Sequence, residues 1–203
     1  MKKTAITTIN DYIAKGLEER TTNNAKACSS TFLAAWQELL AAAPASYTDY
    51  TTLVADFNSD GEAYDWYAWV WDVCEELDLA SRTSPECVEE RLLFIESFKA
   101  RFPDTDDEDL QEFLQRNLIK SNFLLYKQAE GEQAVADFYE QFPFSVWGYI
   151  EWGDALLNRK EKPSPADLAT ILSVYKKGLT LEDDPDYMDI LKRRIKQISK
   201  SEK

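Results

Sequence analysis

The spacing of apolar residues constrains the fold of this chain more than any other feature. Apolar side chains recur three and four residues apart along almost the whole sequence, and the strict alternation typical of a half-buried strand is nearly absent. Ile9, Ile13 and Leu17 form the first such face. With only 6 glycines and 7 prolines among 203 residues, a turn-rich all-β fold is disfavoured. The spacing predicts an all-α protein of about ten helices.

The ends of the helices recur at a regular interval. Phe102-Pro103 and Phe142-Pro143 each end a predicted helix, and Leu179 ends the next matching one, which gives intervals of 40 and 37 residues. A period of this length is typical of stacked helix-turn-helix units, in which neighbouring pairs share a core. We expect one domain over residues 1–203, with divergent helices in 1–80 and repeated helix pairs in 85–198.

Small and aromatic residues of the C-terminal half give this pattern a family likeness. The segment Trp147–Leu156 resembles the first helix of a tetratricopeptide repeat, with Gly153 where two helices approach closely. The second helix of such a repeat has a series of small and aromatic residues. This series is resembled here by Ile171, Tyr175, Gly178 and Leu179. The resemblance implies stacked antiparallel helix pairs in a right-handed superhelix. It also implies a scaffold or adaptor that binds a protein or peptide.

The acidic residues are concentrated in the middle of the chain. The whole sequence has 37 acidic and 23 basic residues, a net charge of −14. Residues 44–112 contain 19 acidic and 4 basic residues, a net charge of −15, whereas the remainder carries +1. Negative surfaces repel nucleic acids and anionic lipids and attract basic proteins. We therefore expect a basic protein or peptide partner, and no nucleic acid or membrane partner.

Histidine is absent, which excludes several kinds of catalytic and metal-binding site. These include the Ser-His-Asp and Cys-His nucleophiles, the histidine-ligated zinc site and the histidine pH switch. The sequence also lacks a glycine-rich phosphate loop and a nucleophile elbow. We therefore expect a protein without enzymatic activity.

The cysteines and the N-terminal segment indicate the compartment. Cys28, Cys74 and Cys87 are odd in number, form no C-x-x-C motif and lie among apolar neighbours, as is typical of reduced thiols. The start of the chain lacks the apolar core of a signal peptide, and no apolar stretch of about 20 residues follows. These features predict a cytoplasmic protein.

One segment, DFNSDGE, matches the first half of an EF-hand calcium loop. Asp56, Asn58 and Asp60 supply oxygen atoms at alternate positions, and Gly61 occupies the position of the sharp turn. The position of the bidentate glutamate is occupied by Tyr67. The motif therefore leaves two interpretations open: a weak calcium site, with no other cofactor expected, or a tight turn between helices.

Two further clusters are candidates for partner binding. The acidic run of Asp104, Asp106, Asp107 and Asp109 either docks a basic partner or complements the dipole of a helix. In the second interpretation Thr105 and Glu108 form the capping box of that helix.

An aromatic helix supplies the other cluster. Aromatic residues at helical spacing usually form core, but Trp66, Tyr67, Trp69 and Trp71 cannot all point one way. Trp66 and Trp69 are therefore candidates for an exposed binding surface.

Three functions follow from these features. The first is a scaffold for a basic partner. The second is an acidic decoy that imitates nucleic acid and blocks a basic protein. The third is a calcium or small-ligand binder that uses the DFNSDGE loop or the tryptophans. A single helix-long band of carboxylates favours the decoy, and carboxylates scattered over several faces disfavour it.

Overall fold

The computed structural model describes residues 1–58, 64–159, 163–181 and 185–201. Over these residues the chain folds into ten α-helices without a strand, which confirms the all-α prediction. The helices are α1 (Lys3–Thr21), α2 (Ala25–Ala42), α3 (Tyr50–Phe57), α4 (Trp66–Ser81), α5 (Glu86–Arg101), α6 (Glu108–Leu124), α7 (Gln128–Gln141), α8 (Trp147–Leu157), α9 (Pro165–Gly178) and α10 (Pro185–Ser201). None of the described helices combines the length and apolar character needed to cross a membrane.

The chain divides into two compact units, Met1–Gln111 (unit 1) and Glu112–Lys203 (unit 2). Unit 1 carries 22 acidic and 9 basic residues, and unit 2 carries 15 and 14. The charge imbalance of the chain therefore belongs to unit 1. The expectation of one continuous repeat domain stays a prediction.

Several helices begin at a polar side chain that accepts a hydrogen bond from the first turn. Asn24, Asp49 and Asp65 serve α2, α3 and α4 in this way. Ser164 and Asp167 form a reciprocal capping box at the start of α9, which also has proline at its first position. Such caps satisfy backbone N–H groups that lack a partner within the helix, and they explain where these helices start.

Aromatic side chains dominate the core of unit 1. Trp36 on α2 lies at its centre, with ring centroids of Phe94, Phe98 and Phe102 at 5.0, 5.7 and 6.1 Å. Trp69 on α4 lies at 6.4 Å from the same ring. These rings join α2, α4 and α5 into one apolar cluster, and tilted and edge-on pairs add to the stabilisation from burial.

Helix α8 is the centre of unit 2, because it contacts each of the other four helices. The contacts are Arg116–Glu151 with α6, Tyr139–Tyr149 with α7, Gly153–Tyr175 with α9 and Asp154–Arg194 with α10. The core of this unit is therefore built from neighbouring helices on every side of α8.

Gly153 lies where α8 and α9 touch, and this confirms the predicted close approach. A Cβ atom at this position would lie 2.3 Å from Cε1 of Tyr175, whose side chain is fully buried. At Gly178 a Cβ atom would lie 3.2 Å from side-chain atoms of Tyr149 and Leu191. Any larger residue at Gly153 must displace the Tyr175 ring.

Candidate functional site

The structure buries both tryptophans that were candidates for an exposed binding surface. Trp66 and Trp69 are 0% and 1% exposed. Trp66 donates from Nε1 to Oδ1 of Asn10 at 2.7 Å, and its carbonyl accepts from Oη of Tyr50 at 2.8 Å. Both side chains are packed within unit 1 because α4 is covered on two sides by other helices. They offer no surface to a partner, and the prediction that they are exposed is wrong.

Of the predicted calcium ligands, Asp56 and Asn58 lie in the described residues, and Asp60 lies outside them. Asn58 donates to the carbonyl of Tyr64 and accepts from N–H of Trp66, both at 2.8 Å. Asp56 accepts from Oη of Tyr47 at 2.7 Å. No group of three or more metal-binding side chains occurs within the described part of the chain. The calcium site stays a prediction.

Arg20 on α1 forms ion pairs with three of the four carboxylates of α4. Its guanidinium nitrogens lie 2.7, 3.4 and 2.6 Å from carboxylate oxygens of Asp72, Glu75 and Glu76. Burial opposes the charge of Arg20, but the hydrogen bonds with Glu76 and Asp72 outweigh it and raise the pKa of the guanidinium. Glu76 is only 4% exposed, so the ion pair with Arg20 gives a buried carboxylate a direct partner.

Three further carboxylates of unit 1 have basic partners. The fully buried Arg91 pairs with Asp78 at the end of α4. Lys26 on α2 lies 3.5 Å from a carboxylate oxygen of Glu86 and 3.2 Å from one of Glu90. The four carboxylates of α4, together with Glu86 and Glu90 of α5, therefore pair with specific cations. They do not form the single helix-long band that favours a decoy.

Exposed carboxylates without such partners cluster in the turn from α5 to α6 and in the first two residues of α6. We call Asp104, Asp106, Glu108 and Asp109 the acidic turn. All four are exposed, and no ion pair joins them to any residue that the structure describes. The structure thus brings together three of the four aspartates predicted to bind a partner, with Glu108 beside them.

Asp107, the fourth predicted aspartate, has a structural contact instead. It is half-buried, and its Oδ1 accepts from N–H of Leu110 at 2.8 Å and from Oη of Tyr67 at 3.0 Å. Burial and this hydrogen bond raise the pKa of Tyr67 to about 12. Asp107 is therefore the cap of α6, and the predicted capping box is wrong because Oγ1 of Thr105 accepts from N–H of Tyr50 at 3.0 Å.

The backbone that carries the acidic turn is fixed against residues 43–50. N–H of Asp104 donates to the carbonyl of Thr48 at 2.9 Å. Arg101, at the end of α5, donates to the carbonyl oxygens of Ala43, Pro44 and Tyr47. Sequence reasoning missed Arg101, since its partners lie more than 50 residues away and no local motif marks them. The acidic turn is consequently presented on a rigid support.

Sequence reasoning also missed an exposed aromatic residue in unit 2. Phe144, in the turn between α7 and α8, is 84% exposed, more than any other large apolar side chain among those described. Phe142, two residues earlier, is buried in the core of the unit. The sequence signal for this site was a pair of phenylalanines on either side of Pro143. Only one of the two side chains, that of Phe142, packs into the core. Phe144 replaces the tryptophans as the apolar candidate for a contact.

Comparison of the chain with protein-family models, with curated proteins and with solved structures finds no match.

Proposed function

We propose that the protein is a non-enzymatic interaction scaffold that docks a basic protein or peptide on the acidic turn. The supporting observation is the contrast within unit 1. Carboxylates of α4 and the start of α5 pair with Arg20, Arg91 and Lys26, whereas the acidic turn is exposed and has no cation among the described residues. Paired charges have little field left to attract a partner. No described cation offsets the charge of the acidic turn.

The size of the acidic turn suits a local electrostatic contact. Its four carboxylates lie within six consecutive residues, and exposed charges within the screening length of about 10 Å at 0.1 M salt act together. They therefore act as one charged patch, whereas more distant charges of unit 1 are screened. A patch of this kind chiefly accelerates association with an oppositely charged partner, and its effect falls as salt rises.

The rigid support of the acidic turn favours binding further. A flexible acidic segment loses conformational entropy when a partner orders it, at about 0.5–1.5 kcal/mol for each immobilised side chain. Here the backbone is already held by the hydrogen bonds of Asp104, Thr105 and Arg101. Only the ends of the exposed side chains remain to be ordered by the partner.

The proposal includes a tetratricopeptide-like stacking of helix pairs and a cytoplasmic location. Support for the stacking comes from unit 2, where α8 contacts four helices and Gly153 and Gly178 occupy close contacts. In such stacks each helix pair supplies surface side chains to an extended binding face. Support for the location comes from Cys28, Cys74 and Cys87, which are free and buried.

Affinity capture with charge variants tests the proposal. The acidic-turn variant D104N/D106N/D109N leaves the α6 cap intact. The control variant E38Q/E89Q/E96Q removes the same number of charges from exposed positions elsewhere in unit 1. Quantitative mass spectrometry compares the proteins captured by wild type, variant and control.

We expect wild type and control to capture the same basic proteins. We expect the acidic-turn variant to lose these proteins. Equal capture by all three chains would contradict the proposal. Loss on Phe144→Ser but not on D104N/D106N/D109N would show an apolar interface and would equally contradict it.

A further inference from the structure

A lysine and a cysteine are in contact where the first turns of α2 and α5 meet. Nζ of Lys26, near the start of α2, donates to Sγ of Cys87, near the start of α5, at 3.2 Å. The same nitrogen lies 3.2 Å from each carboxylate oxygen of Glu90 and 3.5 Å from one of Glu86. Two carboxylates of α5 therefore hold the amine of Lys26 against the sulfur.

The contact with Lys26 favours reaction at Cys87. Burial raises the pKa of all three thiols, to about 12 at Cys28 and Cys74. At Cys87 burial also raises the pKa, but the hydrogen bond and positive charge of Lys26 act in the opposite direction and favour the thiolate. The thiolate is the form of cysteine that oxidants attack. The amine of Lys26 thus promotes a reactive sulfur and lies beside it.

We propose that Lys26 and Cys87 form a redox-modification site, at which a peroxide joins the two side chains through a sulfur–nitrogen bond. The two atoms that bond are 3.2 Å apart, within the range of about 3–3.5 Å from which oriented groups react. Groups held at such a distance react far faster than the same groups free in solution. This site is independent of the acidic turn and of the proposed function.

The reaction has two steps. In the first, the sulfur of Cys87 attacks hydrogen peroxide: an S–O bond forms, the O–O bond breaks, and the thiol proton leaves with the other oxygen as water. Sulfur is oxidised to sulfenic acid and the peroxide is reduced. In the second, the uncharged amine of Lys26 attacks this sulfur: an S–N bond forms, the S–O bond breaks, and the hydroxyl leaves with one amine proton as water. The proton that the ammonium first loses passes to Glu90 and then to solvent.

The surface position of Lys26 gives the peroxide access to the sulfur. Cys87 is fully buried, but the side chain of Lys26 that contacts its sulfur is 37% exposed. This side chain is a long and flexible stem, and its movement opens a path for a molecule as small as hydrogen peroxide. Once the sulfenic acid forms, the neighbouring amine consumes it before further oxidation to sulfinic acid.

The crosslink ties α2 to α5 within unit 1. Its ends are 61 positions apart in the chain, so it closes a long loop. A covalent link that closes a long loop restricts the unfolded chain and stabilises the folded one. We expect the midpoint of urea denaturation to rise by about 1 M. A thiol reductant cleaves the S–N bond and is expected to restore the original midpoint.

Mass spectrometry after treatment with hydrogen peroxide tests the proposal. The reduced wild type is compared with Lys26→Arg, Cys87→Ser and the control Lys15→Arg, which replaces an exposed lysine of α1. We expect wild type and control to lose about 2 Da, the mass of two hydrogen atoms, and to yield a peptide that joins Lys26 to Cys87. We expect this peptide from neither of the other variants. In Lys26→Arg, which keeps the positive charge, the sulfenic acid of Cys87 persists and is trapped by dimedone.

Other products overturn the proposal. A disulfide also lowers the mass by about 2 Da, but peptide mapping then joins two cysteines and leaves Lys26 unmodified. A linked peptide about 14 Da heavier than its reduced parts retains an oxygen atom and contradicts the S–N bond. A Cys87 that stays reduced, or that is oxidised only to sulfinic acid, shows that the amine does not capture the sulfur. Far-UV circular dichroism checks that each variant folds, and the linked peptide of wild type decides the matter if one does not.

Discussion

Gly153→Ala probes the α8–α9 contact with the smallest possible change. The added Cβ atom would lie 2.3 Å from Cε1 and 2.6 Å from Cζ of Tyr175. Carbon atoms in favourable contact are about 3.5–4.0 Å apart, so the ring or the helix must move by about 1 Å. The ring cannot turn away freely, because Oη of Tyr175 donates to Asp154 at 2.5 Å and Arg194 holds Asp154 through two nitrogens.

The expected cost follows from two opposing effects. Overpacking of a buried site costs about 1–3 kcal/mol. Replacing glycine by alanine within a helix stabilises the folded state by up to about 1 kcal/mol through helix propensity. We therefore expect Gly153→Ala to lower the free energy of unfolding by about 1–2 kcal/mol. Leucine gives a similar gain in helix propensity but is much larger than alanine. We therefore expect Gly153→Leu to lower the free energy of unfolding by more than Gly153→Ala does.

Urea denaturation followed by far-UV circular dichroism measures this loss. Gly178→Ala is the matched control, because its Cβ atom would come no closer than 3.2 Å to a side chain of another helix. We expect that control to change stability by less than about 0.5 kcal/mol, because the milder contact at Gly178 is offset by the gain in helix propensity. In a Tyr175→Leu background the cost of Gly153→Ala is expected to vanish. An unchanged midpoint for Gly153→Ala, or an undiminished cost in that background, would refute the packing argument.

Three further predictions concern unit 1. Arg20→Met leaves Glu76 buried without its counter-charge and is expected to cost about 2 kcal/mol in urea denaturation. Asp49→Ala is expected to cost about 1 kcal/mol at neutral pH. Burial opposes the ionisation of Asp49, but its hydrogen bonds with the following threonines lower its pKa, so this contribution is lost as pH falls through the folded pKa. Asp107→Ala is expected to cost about 1 kcal/mol and to lower the pKa of Tyr67 from about 12 in a spectroscopic titration.

Each of these predictions has a control or a contradicting result. Glu75→Gln removes the exposed member of the Arg20 cluster, 62% accessible, and is expected to change stability by less than about 0.5 kcal/mol. An equal loss of stability for Arg20→Met and Glu75→Gln would show that the cost of Arg20→Met does not come from leaving Glu76 without its counter-charge. A difference between wild type and Asp49→Ala that persists unchanged at acid pH would disprove the charge argument. An unaltered pKa of Tyr67 in Asp107→Ala would disprove their hydrogen bond.

The helical fold was predictable because it depends on local spacing. Residues three and four apart share a helix face whatever the rest of the chain does. The Gly153 contact was expected instead from the resemblance of Trp147–Leu156 to the first helix of a tetratricopeptide repeat. The burial of Trp66 and Trp69 was not predictable in this way, since it depends on how many neighbours cover α4. That number is a property of the tertiary structure.

The candidate site was predictable only in part, for the same reason. The run of carboxylates at 104–109 is visible in the sequence, but which of them remain available is decided by distant residues. Asp107 is engaged by Tyr67, 40 positions earlier, and Thr105 by the backbone of Tyr50, 55 positions earlier. The pairing of Arg20 with Glu76 spans 56 positions. Charge counting alone therefore overestimates the number of carboxylates that a partner can reach.

Titration of a fluorescent oligolysine peptide by fluorescence anisotropy tests the role of the acidic turn most directly. Wild type, D104N/D106N/D109N and the control E38Q/E89Q/E96Q are compared at low salt, where exposed charges act most strongly. We predict that the control binds like wild type and that D104N/D106N/D109N binds roughly tenfold more weakly, from about 0.5 kcal/mol for each exposed charge. Equal weakening in both variants would show that net charge alone attracts the peptide, and would contradict a docking site at the acidic turn.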